Sequence, residues 1–589
     1  MNIIFLFLAA IGLFLIAGRT YPRYISRVYD ADDRRPTPAV ALHDGRDYVV
    51  TKPSVVFAHH YATIAGVAPI VGPILALVYG YLPAWCWVVF GGIFFGAVHD
   101  FTALFTSLRE RGKSIAEIAR KSLGNTGFLL FILFLLIMII LVTSAFLKLA
   151  AISLTSIYPL EKLQLPADQT LLKTTVDAKG VVQGKIGGIA SSSVIFITCC
   201  APLLGFLIYK RRLKTLQAFL IAAGICIVSV LLGFRYPVSI SQNAWMVIIS
   251  IYTLFAAGIP IWFILQPRDF INVQVLYGGL GMLAVAVVVN GFHGIHFQIP
   301  ALNIAEGTAI LGAMWPILFI TIGCGAISGF HSMVASGTTV KQIAKESQTK
   351  MGYYAMLLES TLSVLVIVTA ASMLSMDEYK SIVHPGAGEN SNPIFAFSLA
   401  CGLILWKSIG LPIAIGSVLG ILVVEGFIVT TLDTAVRMNR YLFEELWDIV
   451  FHGKVPKLLR HYWFNSALSA VLMFLIAYTN AIGKLWLIFG TANQLVAALA
   501  LVAISLWLLH KGKSFLFTLL PMIFMAVTTL NALRILLGRF INNKNYLLAT
   551  TDILLLGLAI GVLVLAVRAF FKRPLAETPK AENIATGTK

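Results

Sequence analysis

Apolar runs near the length of a bilayer crossing recur from one end of this chain to the other. A helix needs about 20 mostly apolar residues to span the hydrocarbon core. Runs of that kind lie near 3–18, 53–80, 84–108, 127–150, 189–209, 215–234, 245–265, 271–291, 311–336, 353–375, 409–431, 462–480, 485–509, 515–537 and 548–570. A shorter apolar stretch at 394–406 is the length of a half-helix. Of the 589 residues, 58% are hydrophobic and 12% are charged, against roughly 25% charged in soluble domains. No soluble fold hides so much apolar surface, so the chain reads as an all-α polytopic membrane protein with about 15 transmembrane helices.

Charge then sets the orientation. The net charge of +18 is gathered in short clusters between the runs: Arg19 to Arg27, Arg109 to Lys113, Lys210 to Lys214, Lys341 to Lys350 and Lys511 to Lys513. Basic residues in alternate connections mark cytoplasmic loops, which makes a nucleic-acid surface the weaker reading. The lipid bilayer is the expected environment. Ile3 to Ala17 has the length of a signal peptide but lacks a basic region before it and a clean cleavage site after it. It is expected to stay as a first helix, with the N-terminus outside and the segment Arg568 to Arg573 inside.

This divides the chain into 1–50 (first helix and cytoplasmic loop), 51–510 (the membrane core), 511–573 (C-terminal helices) and a polar tail, 574–589. The connections 155–188 and 376–393 fall outside and are long enough to hold structure. The six cysteines sit in apolar segments without a CxxC pair, as small core residues do. No cofactor, structural metal or soluble enzymatic domain is expected.

Two spans break their own pattern. The second carries His59, His60, Thr63, Gly66, Pro69, Gly72 and Pro73. Proline removes a backbone donor and glycine weakens helix, so a continuous helix is not expected there. The ninth carries Gly323, Gly325, Ser328, Gly329, His331 and Ser332, then Ser336 to Thr339. Irregular backbone at membrane depth survives only where protein or a water-filled cavity satisfies it, and such helices line solute sites in many transporters. The competing reading is that these small residues permit close helix packing.

Ionisable residues add a second signal, since a charge at the bilayer centre costs at least ~2.5–3.5 kcal/mol. Asp100, beside His99, and Glu425 stand within apolar spans as candidates for proton or ion coupling. Glu359 and Lys148 fall nearer predicted ends, where snorkelling accounts for them. Histidine titrates near neutral pH, so His59, His60, His99 and His331 are candidate proton carriers or solute donors. Buried histidines held by backbone are the competing reading. Arg268 and Asp269 are expected at the cytoplasmic face. Asp433 and Arg437, four apart, suit a local salt bridge, with a gate as the competing reading, and Asn493 and Gln494 suit bonds to the backbone of another helix or the lining of a path.

The same segments resemble the carbon starvation protein A family. Lys52-Pro53 through His59-His60 to Gly72-Pro73, Gly96 to Phe101, Gln266 to Asp269, Ser328 to His331 with Ser336 to Gln342, Thr431 to Arg437, and Phe489 to Gln494 are similar to family blocks in the same order. Ala58 replaces the glycine often found before the paired histidines. The resemblance implies a secondary transporter of the APC/LeuT-like class with inverted repeats. It would import short peptides or pyruvate when preferred carbon runs low, with proton coupling, in the cell inner membrane.

Both substrates carry a carboxylate, and a broken helix offers free N–H groups that suit one. His59, His60, Gly66, Gly72, Ser328, Gly329, His331 and Ser336 are therefore the candidate substrate-binding residues, and Asp100, His99 and Glu425 the candidate coupling residues. The absence of GxxxxGK[ST] argues against ATP-driven transport in this chain. The alternatives are a membrane sensor of carbon state, a channel, or an intramembrane metal-dependent protein using His59, His60 and His331.

Overall fold

The computed structural model describes residues 1–44, 48–166, 168–169, 171–177, 180–211, 213–259, 263–386, 391–480 and 482–571. The polar tail expected at 574–589, Arg573 of the last basic cluster and Arg212 of an earlier one lie outside these residues. The chain opens with α1 (Ile3–Val28) and the short α2 (Pro38–Ala41). An interrupted span follows as α3 (Pro53–Ile64) and α4 (Ala68–Ala76), bent by 42°. Next come α5 (Tyr81–Gly91) and α6 (Ala97–Arg109), joined through a π-helical turn at Gly92–Gly96.

The 40-residue α7 (Ile115–Leu154) leads to a long loop and then to α8 (Gly187–Tyr209), α9 (Thr215–Arg235), α10 (Gln242–Gly258) and α11 (Leu265–Phe292). A second interrupted region comprises α12 (Ile304–Ile310), α13 (Met314–Thr321) and α14 (Gly329–Gly337). Then follow α15 (Lys350–Met373), α16 (Met376–Val383), α17 (Pro393–Ile409) and the 38-residue α18 (Ile413–Val450). The last four are α19 (Tyr462–Thr479), α20 (Ile482–His510), α21 (Leu516–Asn542) and α22 (Tyr546–Phe571).

Among the described residues twelve helices are long and apolar enough to cross a membrane, or fourteen with each bent pair taken as one span. The expected span at 245–265 is the shorter α10, and 394–406 grows into the 17-residue α17. The end of α10 has a visible cause. Arg437 donates to the carbonyls of Ala256 and Ile259, and Arg440 to that of Ala257 at 3.0 Å. Two guanidiniums therefore satisfy the orphan carbonyls at a helix C-terminus inside the protein.

Burial separates centre from rim. The most apolar window of α20 is 94% buried, whereas that of α22 is 22% buried. On α9, Leu216, Leu220, Ile227 and Leu231 are exposed, as a lipid-facing helix requires. One end of the bundle gathers the basic loops: Lys513 pairs with Asp30, and Arg109 with Glu346 at 3.0 Å. The opposite end of α15 carries the other loops, where Gln298 donates to Ala371 and Lys380 pairs with Glu306 at 2.6 Å. The loop after α7 holds a small antiparallel sheet of β1 (Ile157–Pro159), β2 (Thr174–Val176) and β3 (Val182–Lys185), in the order β1-β3-β2.

Candidate functional site

The break between α13 and α14 is satisfied donor by donor. Gly325 adopts φ +80°, a left-handed turn that favours glycine. Asn493 on α20 donates to Gly323 O at 2.7 Å and accepts from Phe330 N–H at 2.9 Å. Gln494 donates to Phe319 O at 2.7 Å and Ile322 O at 2.9 Å, and Trp486 to Thr321 O at 2.9 Å. From α15, Ser360 donates to Gly325 O at 2.7 Å, while Glu359 accepts from Gly325 N–H at 3.1 Å. Asn493 and Gln494 thus serve the backbone of another helix, as their amide chemistry suggested. They keep a non-helical strip stable away from water.

The two interrupted spans touch. A Cβ on Gly72 would meet Thr321 O at 2.8 Å and Ile322 Cα at 3.0 Å. Ser363 bridges them by donating to Pro69 O at 2.9 Å. Gly66, at the break in α3 and α4, lies against Thr431 of α18 and Phe146 of α7.

A chain of buried ionisable groups runs beside this junction. His99 Nδ1 lies 2.8 Å from Asp100 Oδ1, and Asp100 Oδ2 lies 2.7 Å from His331 Nδ1. The other ring nitrogen of His331, Nε2, contacts Glu359 Oε2 at 3.2 Å and Cys324 Sγ at 3.4 Å. All four ionisable residues are fully buried. The π-helical turn before α6 and the break before α14 set Asp100 and His331 opposite each other. Glu359 does not snorkel from a helix end; it sits ten residues into α15, facing His331. Its signal was the match between an acid in an apolar span and the histidine of a broken one.

Cys324, His331 and Glu359 each offer one ligand atom, all within 4.8 Å of one another. That set could coordinate a soft divalent ion, with Asp100 on the far side of the imidazole. It is not the His59, His60 and His331 set considered from the sequence. His59 faces Asp269 at 3.8 Å, and His60 Nδ1 meets Thr339 at 2.8 Å. His60 is nevertheless within electrostatic reach of Asp100 and His331.

A second buried cluster lies on α11 and α18. Arg268 Nη1 donates to Asp433 Oδ2 at 2.9 Å and to Tyr252 Oη at 2.7 Å. Tyr252 also donates to Asp433 at 3.0 Å. Arg268, at the start of α11, is 1% exposed, and Asp433 pairs with it rather than with Arg437. Tertiary packing overrode the four-residue spacing because Arg437 is engaged by the end of α10. Glu425 is fully buried on α18, with neither carboxyl oxygen in a well-formed hydrogen bond.

The remaining candidates have packing roles. Ser328 bonds Asn493, and Gly329 lies against α20. Ser336 donates to Ser332 O at 2.7 Å and accepts from Ile115 N–H at 3.2 Å at the start of α7.

The family model described as carbon starvation protein CstA matches residues 2–391 and 377–532. The peptide transporter CstA of Bacillus subtilis is 30% identical over 576 residues, covering 90% of this chain and 89% of that one. The peptide transporter CstA of Escherichia coli is 29% identical, covering 90% and 80%. The pyruvate/proton symporter BtsT of Escherichia coli is 28% identical, covering 89% and 80%. Among solved structures, a manganese transporter of Eremococcus coleocola aligns with a TM-score of 0.49 and 10% identity over 90% of this chain and 99% of that one. With a family model spanning nearly all the membrane helices and a relative at 30% identity across both full lengths, the chain belongs to the carbon starvation protein CstA family.

Proposed function

We propose that this protein is a proton-coupled secondary transporter that imports short peptides or pyruvate-like carboxylates. The observation that carries the reading is the buried set Asp100, His331 and Glu359. Two carboxyl groups flank one imidazole at 2.7 Å and 3.2 Å beside a broken helix. Ionisable groups inside a membrane are costly, and chains of Asp, Glu and His mark proton paths in carriers. One proton moving between Glu359 and His331 changes the charge on Glu359, which accepts the Gly325 N–H. The broken backbone and the titrating group are thus joined by one hydrogen bond, which links protonation to the conformation of the α13–α14 junction.

The relatives named as peptide transporters and as a pyruvate/proton symporter support the same class. The gathering of Arg109, Lys113 and Lys513 at one end of the bundle supports a cytoplasmic assignment for that end under the positive-inside rule. On this reading the N-terminus is outside and the end of α22 is in the cytoplasm, in the cell's inner membrane.

The test is accumulation of labelled pyruvate and of a labelled dipeptide in cells stripped of other carriers, with and without a protonophore. Accumulation of either, abolished by the protonophore, is expected. Correctly inserted protein that accumulates neither would overturn the reading.

A further inference from the structure

A cavity of about 230 Å³ opens between α8, α9, α11 and α18. It is below the ~300 Å³ at which drug-sized pockets begin, yet at about 30 Å³ per water it holds roughly seven waters' worth of solute. Most of its wall is apolar. Its polar lining consists of Ser193, Ser229, Arg268, Asn272, Gln274 and Glu425. The cavity opens at the rim, where Ile227, Gly278 and Met282 are exposed, and its inner wall carries Arg268, Asn272 and Glu425. A separate, much smaller hollow shares Asn272, Val423 and Gly426 with it and is also lined by Ala62 of α3 and Thr430 of α18.

The charges in this lining are unusual. Glu425 is fully buried and both of its oxygens lack a well-formed hydrogen bond, although Ser153 stands near. Arg268 is held by Asp433 and Tyr252 through Nη1, while its Nε is without a partner. The guanidinium acts electrostatically on Glu425. Asn272 is anchored by its amide to Thr430 at 3.1 Å, which fixes its side chain at the mouth of the smaller hollow. A buried carboxyl group without a well-formed hydrogen bond is costly, and a cationic group that arrives with a solute offers it a partner.

We propose that this cavity is a solute subsite for molecules carrying an α-ammonium group and a carboxylate. Glu425 receives the ammonium, and Arg268 attracts the carboxylate. The assignment rests on the transport reading above, and it narrows the substrate toward zwitterions: short peptides and, by the same chemistry, free amino acids. Pyruvate has no ammonium for Glu425 to receive.

Binding to the purified full-length protein in detergent, read by titration calorimetry, tests this apart from transport. The probes are alanyl-alanine, alanine, N-acetyl-alanyl-alanine and pyruvate. Wild-type protein is expected to bind alanyl-alanine or alanine at least about tenfold more tightly than the N-acetylated peptide or pyruvate, the scale of one charged hydrogen bond. The ratio between the first two identifies the source of the ammonium group. Glu425→Gln is expected to remove the preference.

Gly278 lines the cavity, and a Cβ there would meet no atom within 4 Å. Gly278→Leu therefore adds bulk at the exposed mouth of the cavity without striking backbone, and it is expected to weaken binding of the free peptide or amino acid about tenfold or more while the protein elutes as a single folded species. Equal binding of free and acetylated peptide, or free-peptide binding unchanged in both folded variants, would overturn the subsite. Binding of the free peptide without protonophore-sensitive uptake would instead overturn only the transport reading.

Discussion

The two buried ionic clusters differ in how fully their groups are matched. Around His331, each ring nitrogen has a carboxylate neighbour and Glu359 also holds a backbone N–H of the interrupted region, while Glu359 Oε2 and His99 Nε2 lack well-formed hydrogen bonds. Around Arg268, Asp433 and Tyr252 close a tight triangle, but Asp269 and Glu425 stand nearby without well-formed hydrogen bonds. A matched network in low dielectric rigidifies what it touches, whereas an unmatched buried charge is held at a cost that a ligand can relieve. One cluster is thus suited to moving a proton within a fixed frame, and the other to receiving something from outside.

That contrast breaks first at Glu359. Replacing it by Gln keeps the shape and removes the second carboxylate facing His331. Protonophore-sensitive accumulation is expected to vanish, while solute exchange across the membrane without a gradient persists. Exchange and accumulation assayed in the same proteoliposomes check this, and retained accumulation would remove Glu359 from the proton path.

Asp433→Leu tests the second cluster through stability. It leaves the Arg268 guanidinium buried without its carboxylate, which costs about 3–5 kcal/mol for a broken buried pair. Thermal unfolding in detergent should show a large loss. The double variant Arg268→Met with Asp433→Leu should recover most of it, since the desolvated charge is then gone.

Asn493→Ala probes the frame rather than the charges. It leaves Gly323 O and Phe330 N–H without their partners, at about 1–3 kcal/mol for each buried group. The loss is expected in unfolding temperature, with a slower transport cycle in whatever protein folds.

The smallest effect concerns pH and lies in the loop after α16, outside the membrane spans. Burial pushes His384 down to about 4, against the opposing hydrogen bond to Leu75 O. An unfolded histidine takes its proton near 6.5, so between that value and about 4 the unfolded chain binds more protons than the folded one. Stability from this residue is therefore full above about pH 6.5 and falls as pH drops toward 4. Unfolding temperature across that window should fall less steeply in His384→Gln than in the wild type.

Much of the architecture was legible because bilayer physics writes it into composition. Apolar length marks the spans, Pro and Gly mark the interruption at Gly66, and Gly, Ser and His mark the one at Gly325. Asp100, His99 and Glu425 stood out because an acid within an apolar run is costly. The amides of Asn493 and Gln494 were readable as backbone partners for the same reason: buried donors must be used.

Partnership was not legible. Nothing in the spacing says that Asp433 turns to Arg268, 165 residues away, while Arg437 turns to the end of α10. Glu359 gained its place opposite His331 only when α15 packed beside the interrupted region. The paired histidines parted, His59 toward Asp269 and His60 toward Thr339, because adjacent residues on a helix point about 100° apart. The sequence by itself determined where the chain crosses the membrane and where a crossing must fail, since both follow from the local transfer cost of each residue. Which charges face one another was decided by the tertiary structure alone, because a buried charge is stabilised by whichever partner the packing brings within reach.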